Sequence, residues 1–120
     1  MEYIAGKCNI GRKGRAIRIL IGTAFLGAAF IIYFIITNSG YGRNFILMLF
    51  PLLAIGFLNI IESLQRFCVF NGLSGTHMMD GVENDVASVS DRAKDKIKSF
   101  EVVVLAVVAG AIVSAALYLL

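Results

Sequence analysis

Residues 19–36 read ILIGTAFLGAAFIIYFII, 18 consecutive positions without a charge. At about 1.5 Å per helical residue, such a run covers most of a hydrocarbon core about 30 Å thick. Two further runs share its character: residues 45–61 (FILMLFPLLAIGFLNII) and residues 102–120 (VVVLAVVAGAIVSAALYLL), with 17 and 19 uncharged positions. All the Asp, Glu, Lys and Arg of the chain fall outside the three runs. The runs lack the period-2 alternation of a barrel strand, and a chain in lipid must satisfy its own backbone hydrogen bonds, so helices remain. The expected fold is all-α and integral to a membrane: three transmembrane helices plus a cytoplasmic amphipathic helix. Basic residues precede the first run as they would in a signal peptide. Its 18 apolar positions nevertheless exceed the roughly 7 to 15 of such a segment, and a poor small-x-small site follows it, so retention as a span is expected.

Composition agrees. The 120 residues are 58% hydrophobic and 16% charged, against roughly 25% charged in soluble proteins. This disfavours disorder and a nucleic-acid-binding domain. The distribution of cations is more informative than the net charge of +3. Lys7, Arg12, Lys13, Arg15 and Arg18 precede the first span, Arg43 lies between the first two, and Arg66, Arg92, Lys94, Lys96 and Lys98 lie between the second and third. With three crossings, ten of the eleven cations share one side, which the positive-inside rule assigns to the cytoplasm. The chain is therefore expected to be multi-pass in a cell (inner or plasma) membrane, N-terminus cytoplasmic and C-terminus outside. Arg12, Lys13, Arg15 and Arg18 are expected to touch anionic lipid head groups, on the order of 1 kcal/mol per cation, rather than nucleic acid.

Three segments follow: a two-helix hairpin over residues 1–75, a cytoplasmic linker with an amphipathic helix over 76–101, and a third transmembrane helix over 102–120. In the third span Ala106, Gly110 and Ser114 recur every four residues as a small-xxx-small face, and Gly22 and Gly27 give the first span smaller packing positions, with Thr23, Ala24 and Ala28 beside Gly27. Small residues let helices approach closely in lipid. The pattern fits packing within the chain and packing between copies equally. Pro51 is expected to kink the second span, and Asn59 to make an interhelical hydrogen bond worth about 1 kcal/mol. The spans contain no Asp, Glu, Lys, Arg or His, which disfavours ion pumping, proton relay and voltage sensing by the chain alone.

Between the second and third spans, residues 62–75 (ESLQRFCVFNGLSG) read as an interfacial extension of the second helix, ended by Gly72 and Gly75. Asp80 with Glu83 resembles a capping box. From there Val82, Val86, Val89, Ala93, Ile97 and Phe100 recur at helical spacing as one narrow apolar stripe. The stripe is expected either to lie on the membrane, with Arg92, Lys94, Lys96 and Lys98 at the head groups, or to pack on a partner. If it runs on into the third span, residues 81–120 form one rod roughly 60 Å long.

Cys8 and Cys68 fall at the cytoplasmic boundary, where a structural disulfide is disfavoured. Lys7, Arg12 and Arg66 lie near them in sequence and would stabilise a thiolate; the plainer reading is that both thiols are small apolar fillers. A soft-metal set of Cys8, Cys68, His77, Met78 and Met79 lacks a CxxC or repeated Met/His pattern, and Asp80, Glu83 and Asp85 depart from calcium-loop spacing. No metal and no cofactor is expected, and no Ser/His/Asp set or phosphate loop is visible.

Cys8-Asn9-Ile10-Gly11 with Arg12, Arg15 and Arg18, a glycine-containing span with Gly22, then Pro51-Leu52-Leu53 and Cys68 resemble the YgaP-type transmembrane domain over roughly residues 7–75. The resemblance implies an N-in helical hairpin that tends to dimerise, with links to sulfur handling at the cytoplasmic face. Where the family commonly carries Cys-Pro this chain has Cys68-Val69, and no rhodanese domain or active-site loop is expected among these 120 residues. The function expected is a small integral membrane protein without autonomous catalysis, an accessory or scaffolding subunit of a larger membrane complex or a homo-oligomer, with membrane lipids as partners. The alternative is a cytoplasmic-face thiol protein binding or transferring sulfur through Cys8 and Cys68.

Overall fold

A computed structural model describes residues 4–40, 42, 44–79, 82–86 and 88–120. The chain is mostly helical. Helix α1 runs Arg12–Asn38, α2 Asn44–Leu47, α3 Phe50–Gln65, α4 Val69–Ser74 and α5 Val89–Leu119, and strands β1 (Thr76–Met79) and β2 (Val82–Asp85) form one antiparallel hairpin between α4 and α5. Three stretches, Arg12–Asn38, Asn44–Gln65 and Val89–Leu119, are long and apolar enough to cross a membrane. They form an elongated body of 55 × 24 × 17 Å in which α3 packs along both α1 and α5.

The second span is interrupted rather than bent. Met48 and Leu49 form a turn between α2 and α3, and Pro51 stands in the first turn of α3, where its missing N–H removes no helical hydrogen bond. The expected kink thus takes the form of a break just ahead of the proline. Helices approach closely at glycines. A Cβ on Gly22 would lie 2.9 Å from the carbonyl oxygen of Gly56, and one on Gly110 would lie 3.0 Å from the Ala54 backbone. Ala106, Gly110 and Ser114 are all buried, so the small face of the third span is used within the chain, against α3. Gly27 is different: nothing lies within 4 Å of a Cβ placed there, and Thr23, Ala24 and Ala28 beside it are exposed. Ala29, Ile36, Ile46, Leu49, Leu53 and Leu117 make the apolar core of one half of the bundle. Phe67, Val69 and Val102 make a smaller core at the other end.

The 62–101 region departs from the expected extension and amphipathic helix. Arg66 adopts the left-handed conformation (φ 57°), and the Phe67 N–H donates to the Glu62 carbonyl at 2.9 Å while Arg66 N–H donates to Ser63. This is a Schellman termination with arginine at the position glycine usually takes, so 62–75 is two helices meeting at a sharp turn. The expected helical start at Asp80 lies outside the described residues; Val82 and Glu83 belong to β2. The long helix begins at Val89, with the Ser88 hydroxyl accepting the Asp91 N–H, and runs unbroken into the third span, about 46 Å at 1.5 Å per residue. Its inward face is not the apolar stripe. Val89, Ile97 and Phe100 are 82%, 70% and 70% exposed, whereas Asp95, Ser99 and Val102 are 0%, 1% and 0% exposed. A period of 3.6 identifies a stripe, and packing decides which stripe turns inward.

Candidate functional site

The polar residues of the chain converge at one end of the bundle, where the N-terminal segment, the end of α3, the α4 turn and the first turns of α5 meet; this is called the basal end below. Residues 4–8 close a tight turn, with the Ile4 N–H donating to the Cys8 carbonyl and the Cys8 N–H to the Ile4 carbonyl, each at 2.9 Å. The chain then crosses the α3–α4 corner before α1 begins at Arg12. At that crossing Asn9, fully buried, acts as a surrogate peptide. Its Nδ2 donates to the Cys68 carbonyl at 3.1 Å, its Oδ1 accepts the Cys68 N–H at 2.6 Å, and its own N–H donates to the Arg66 carbonyl at 2.9 Å. The left-handed turn at Arg66 directs that carbonyl at the incoming strand.

Two arginines of the opening motif turn inward. Arg15 Nε donates to the Ser63 carbonyl at 2.9 Å while the Ser63 hydroxyl donates back to the Arg15 carbonyl at 3.0 Å. Arg18 Nε meets Glu62 Oε2 at 2.8 Å in an ion pair whose side chains are 21% and 7% exposed, and its Nη1 donates to the Gly14 carbonyl. Of the four cations expected at lipid head groups, Arg12 and Lys13 are exposed, while Arg15 and Arg18 are engaged in these internal bonds. A spacing of three residues puts them on one helix face; α3, lying against that face, captures them.

On the other flank, the Gly6 N–H donates to Asp95 Oδ1 at 2.7 Å, tying the N-terminal turn to α5. The Ser99 hydroxyl donates to the Asp95 carbonyl at 2.8 Å and approaches the Val69 carbonyl at 3.3 Å. A Cβ at Gly72 would overlap Ser99 Oγ and lie 2.8 Å from the Phe67 ring, so glycine is required for α4 to seat on α5. Asp95, Ser99 and Ser63 carry no signal in an apolar periodicity. Their role was legible only as polar residues near span boundaries.

Both cysteines are free and buried. Cys68 begins α4 and its thiol lies close enough to Arg18 and Glu62 to interact with both; the Cys8 thiol faces the Ile10 carbonyl at 3.7 Å. The second span's Asn59 donates to the Ile55 carbonyl of its own helix at 2.9 Å, in place of the expected bond to a neighbouring helix; an amide reaching back one turn satisfies its donor without a partner. His77 sits on β1, and among the described residues no group of three or more His, Cys, Asp or Glu side chains is gathered. What the basal end can do chemically is hold four chain segments in one rigid polar cluster. Comparison with protein-family models, with characterised proteins and with solved structures yields no match to this chain.

Proposed function

We propose that the protein is a small, non-catalytic integral membrane scaffold, an accessory subunit or homo-oligomer, with its basal end in the cytoplasm and its C-terminus on the opposite side. One observation carries this reading: five buried polar residues of the basal end, Asn9, Glu62, Ser63, Asp95 and Ser99, are each occupied in bonds between segments of the chain. A catalytic site aims such groups at a cavity. These are directed at backbone and at one another, so their energy goes into fixing a platform. The described cations cluster at that same end, as the positive-inside rule requires of a cytoplasmic face. The likeness of residues 7–75 to YgaP-type domains is proposed on related ground, because the motif residues Asn9, Arg15, Arg18 and Cys68 meet in space.

With Ala106, Gly110 and Ser114 consumed internally, association would use the outward face of α1 around Gly27. Purification from native membranes in mild detergent tests the proposal. A stoichiometric partner or a defined homo-oligomer is expected, and a strictly monomeric chain with no companion would overturn it. A C-terminal reporter that reads cytoplasmic would overturn the orientation.

A second reading, thiol chemistry at the cytoplasmic face, draws on the placement of both cysteines at the basal end, where the Cys68 backbone is bonded to Asn9 and the Cys8 thiol faces the Ile10 carbonyl. Substituting both Cys8 and Cys68 with serine would abolish function under this reading and leave it intact under the first.

A further inference from the structure

We propose that the cavity between the N-terminal turn and α5, lined by Gly6, Lys7, Lys94, Ile97, Lys98 and Glu101, binds the phosphate-bearing head group of an anionic phospholipid. The proposal rests on the membrane placement given above and adds to it a defined site. The cavity measures about 270 Å³. Its walls come from two segments fastened together. The turn is closed by its own hydrogen bonds between Ile4 and Cys8. It is pinned to α5 by the Gly6 N–H on Asp95 Oδ1. Gly6 has φ +70°, and a Cβ there would sit 3.4 Å from the Lys94 Cβ, so the turn lies directly on the helix and holds Lys7 across from Lys94 and Lys98.

Charge selects an anion. Lys7, Lys94 and Lys98 line the cavity with one acid, Glu101; Lys98 pairs with Glu101 at 3.6 Å, which leaves Lys7 and Lys94 as the excess positive charge, and the nearby Asp95 carboxylate is fully buried and faces Gly6. Position selects a lipid. Lys98 lies one helical turn before Val102, where the third apolar run begins, so the cations stand at the depth of lipid phosphates. The same face of α5 then continues through Leu105, Val108 and Ile112, which are 42%, 49% and 63% exposed. A free phosphate has no use for that apolar track, whereas an acyl chain attached to the bound phosphate would lie along it.

The test uses the full chain in nanodiscs of phosphatidylcholine containing a minor fraction of phosphatidylglycerol, with the lipids retained after transfer to detergent counted by native mass spectrometry. Phosphatidylglycerol is expected to be retained several-fold over its mole fraction, and the Lys94→Gln/Lys98→Gln double variant to lose most of that enrichment. Lys96→Gln removes one charge, as Lys94→Gln alone does, from the same stretch of helix but outside the cavity, and is expected to keep the enrichment. Equal retention of the two lipids, or a loss in Lys96→Gln as large as in Lys94→Gln alone, would overturn the site. Binding of inorganic phosphate in pure phosphatidylcholine discs, abolished by the double variant and unaccompanied by phosphatidylglycerol enrichment, would also overturn it in favour of a soluble anion. Release of the protein from native membranes by alkaline carbonate would sink the membrane placement itself, a failure separate from the lipid-preference result.

Discussion

The Asn9 side chain and the Cys68 backbone exchange two hydrogen bonds, of 3.1 and 2.6 Å, across 59 residues of sequence. The pair fastens the N-terminal segment to the corner between α3 and α4. Removing the amide leaves the buried Cys68 N–H without a partner, which costs about 1–3 kcal/mol, while the Cys68 carbonyl keeps the Gly72 N–H at 2.9 Å. Asn9→Ala is expected to destabilise the fold by about 1–3 kcal/mol on that basis, measured by denaturant unfolding in detergent. Maleimide labelling of Cys8 and Cys68, slow in the native protein because both thiols are buried, is expected to accelerate at least tenfold in this variant, as a local opening about 1.4 kcal/mol cheaper would give. Unchanged labelling would show that the latch is not what protects the thiols.

The Arg18–Glu62 pair is mostly buried on the glutamate side. Breaking such a pair by removing one member strands a charge, while removing both with apolar groups of similar size is close to neutral. Arg18→Met is therefore expected to cost about 2–4 kcal/mol, with partial exposure of the arginine keeping it below the upper limit for a fully buried ion. Arg18→Met/Glu62→Leu is expected to recover most of that loss. Equal destabilisation of the single and double variants in the same unfolding assay would mean that the pair contributes chiefly through packing.

The glycines separate folding from association. Gly22→Ala and Gly110→Ala force atoms 2.9–3.0 Å from neighbouring backbone, and overpacking of this kind costs about 1–3 kcal/mol. Gly27→Leu meets open space within 4 Å and is expected to leave monomer stability unchanged. If the proposed association uses the α1 face, Gly27→Leu reduces oligomer or complex recovery while Gly110→Ala lowers thermal stability. The opposite assignment in size-exclusion chromatography and melting curves would reverse the roles of the two faces.

Arg66 occupies the left-handed region at the end of α3, and its side chain is exposed. A non-glycine residue there costs on the order of 1 kcal/mol. Arg66→Gly is expected to stabilise the protein by about 0.5–1 kcal/mol. A loss of stability would indicate that the guanidinium contributes an interaction beyond the termination of the helix.

Much of the polar site was visible in the sequence as a list of residues and invisible as an arrangement. Asn9, Arg15, Arg18 and Cys68 carry the motif, yet their spacing alone points the arginines at lipid, because helical spacing reports a shared face and not the neighbour that covers it. Asp95 and Ser99 give no such signal, because they lie on the helix face opposite the apolar stripe of Val89, Ile97 and Phe100. Valines four apart suggest a helix over 82–85, but Val82 and Val86 supply too short a pattern to exclude the strand found there, and β-branched residues favour one.

Hydropathy and charge add residue by residue along a local segment, so the three long apolar helices and the grouping of cations outside them are legible without any knowledge of packing. Tertiary structure decided which faces turn inward. In a water-soluble bundle the apolar stripe marks the interior, but where the outward surface is apolar too, that signal carries no direction. Close approach and hydrogen bonding take over, so Gly22, Gly56, Gly110, Ser99 and Asp95 face inward while Ile97 and Phe100 face out. That choice depends on which helix lies alongside, and it therefore exists only once α1, α3 and α5 have packed.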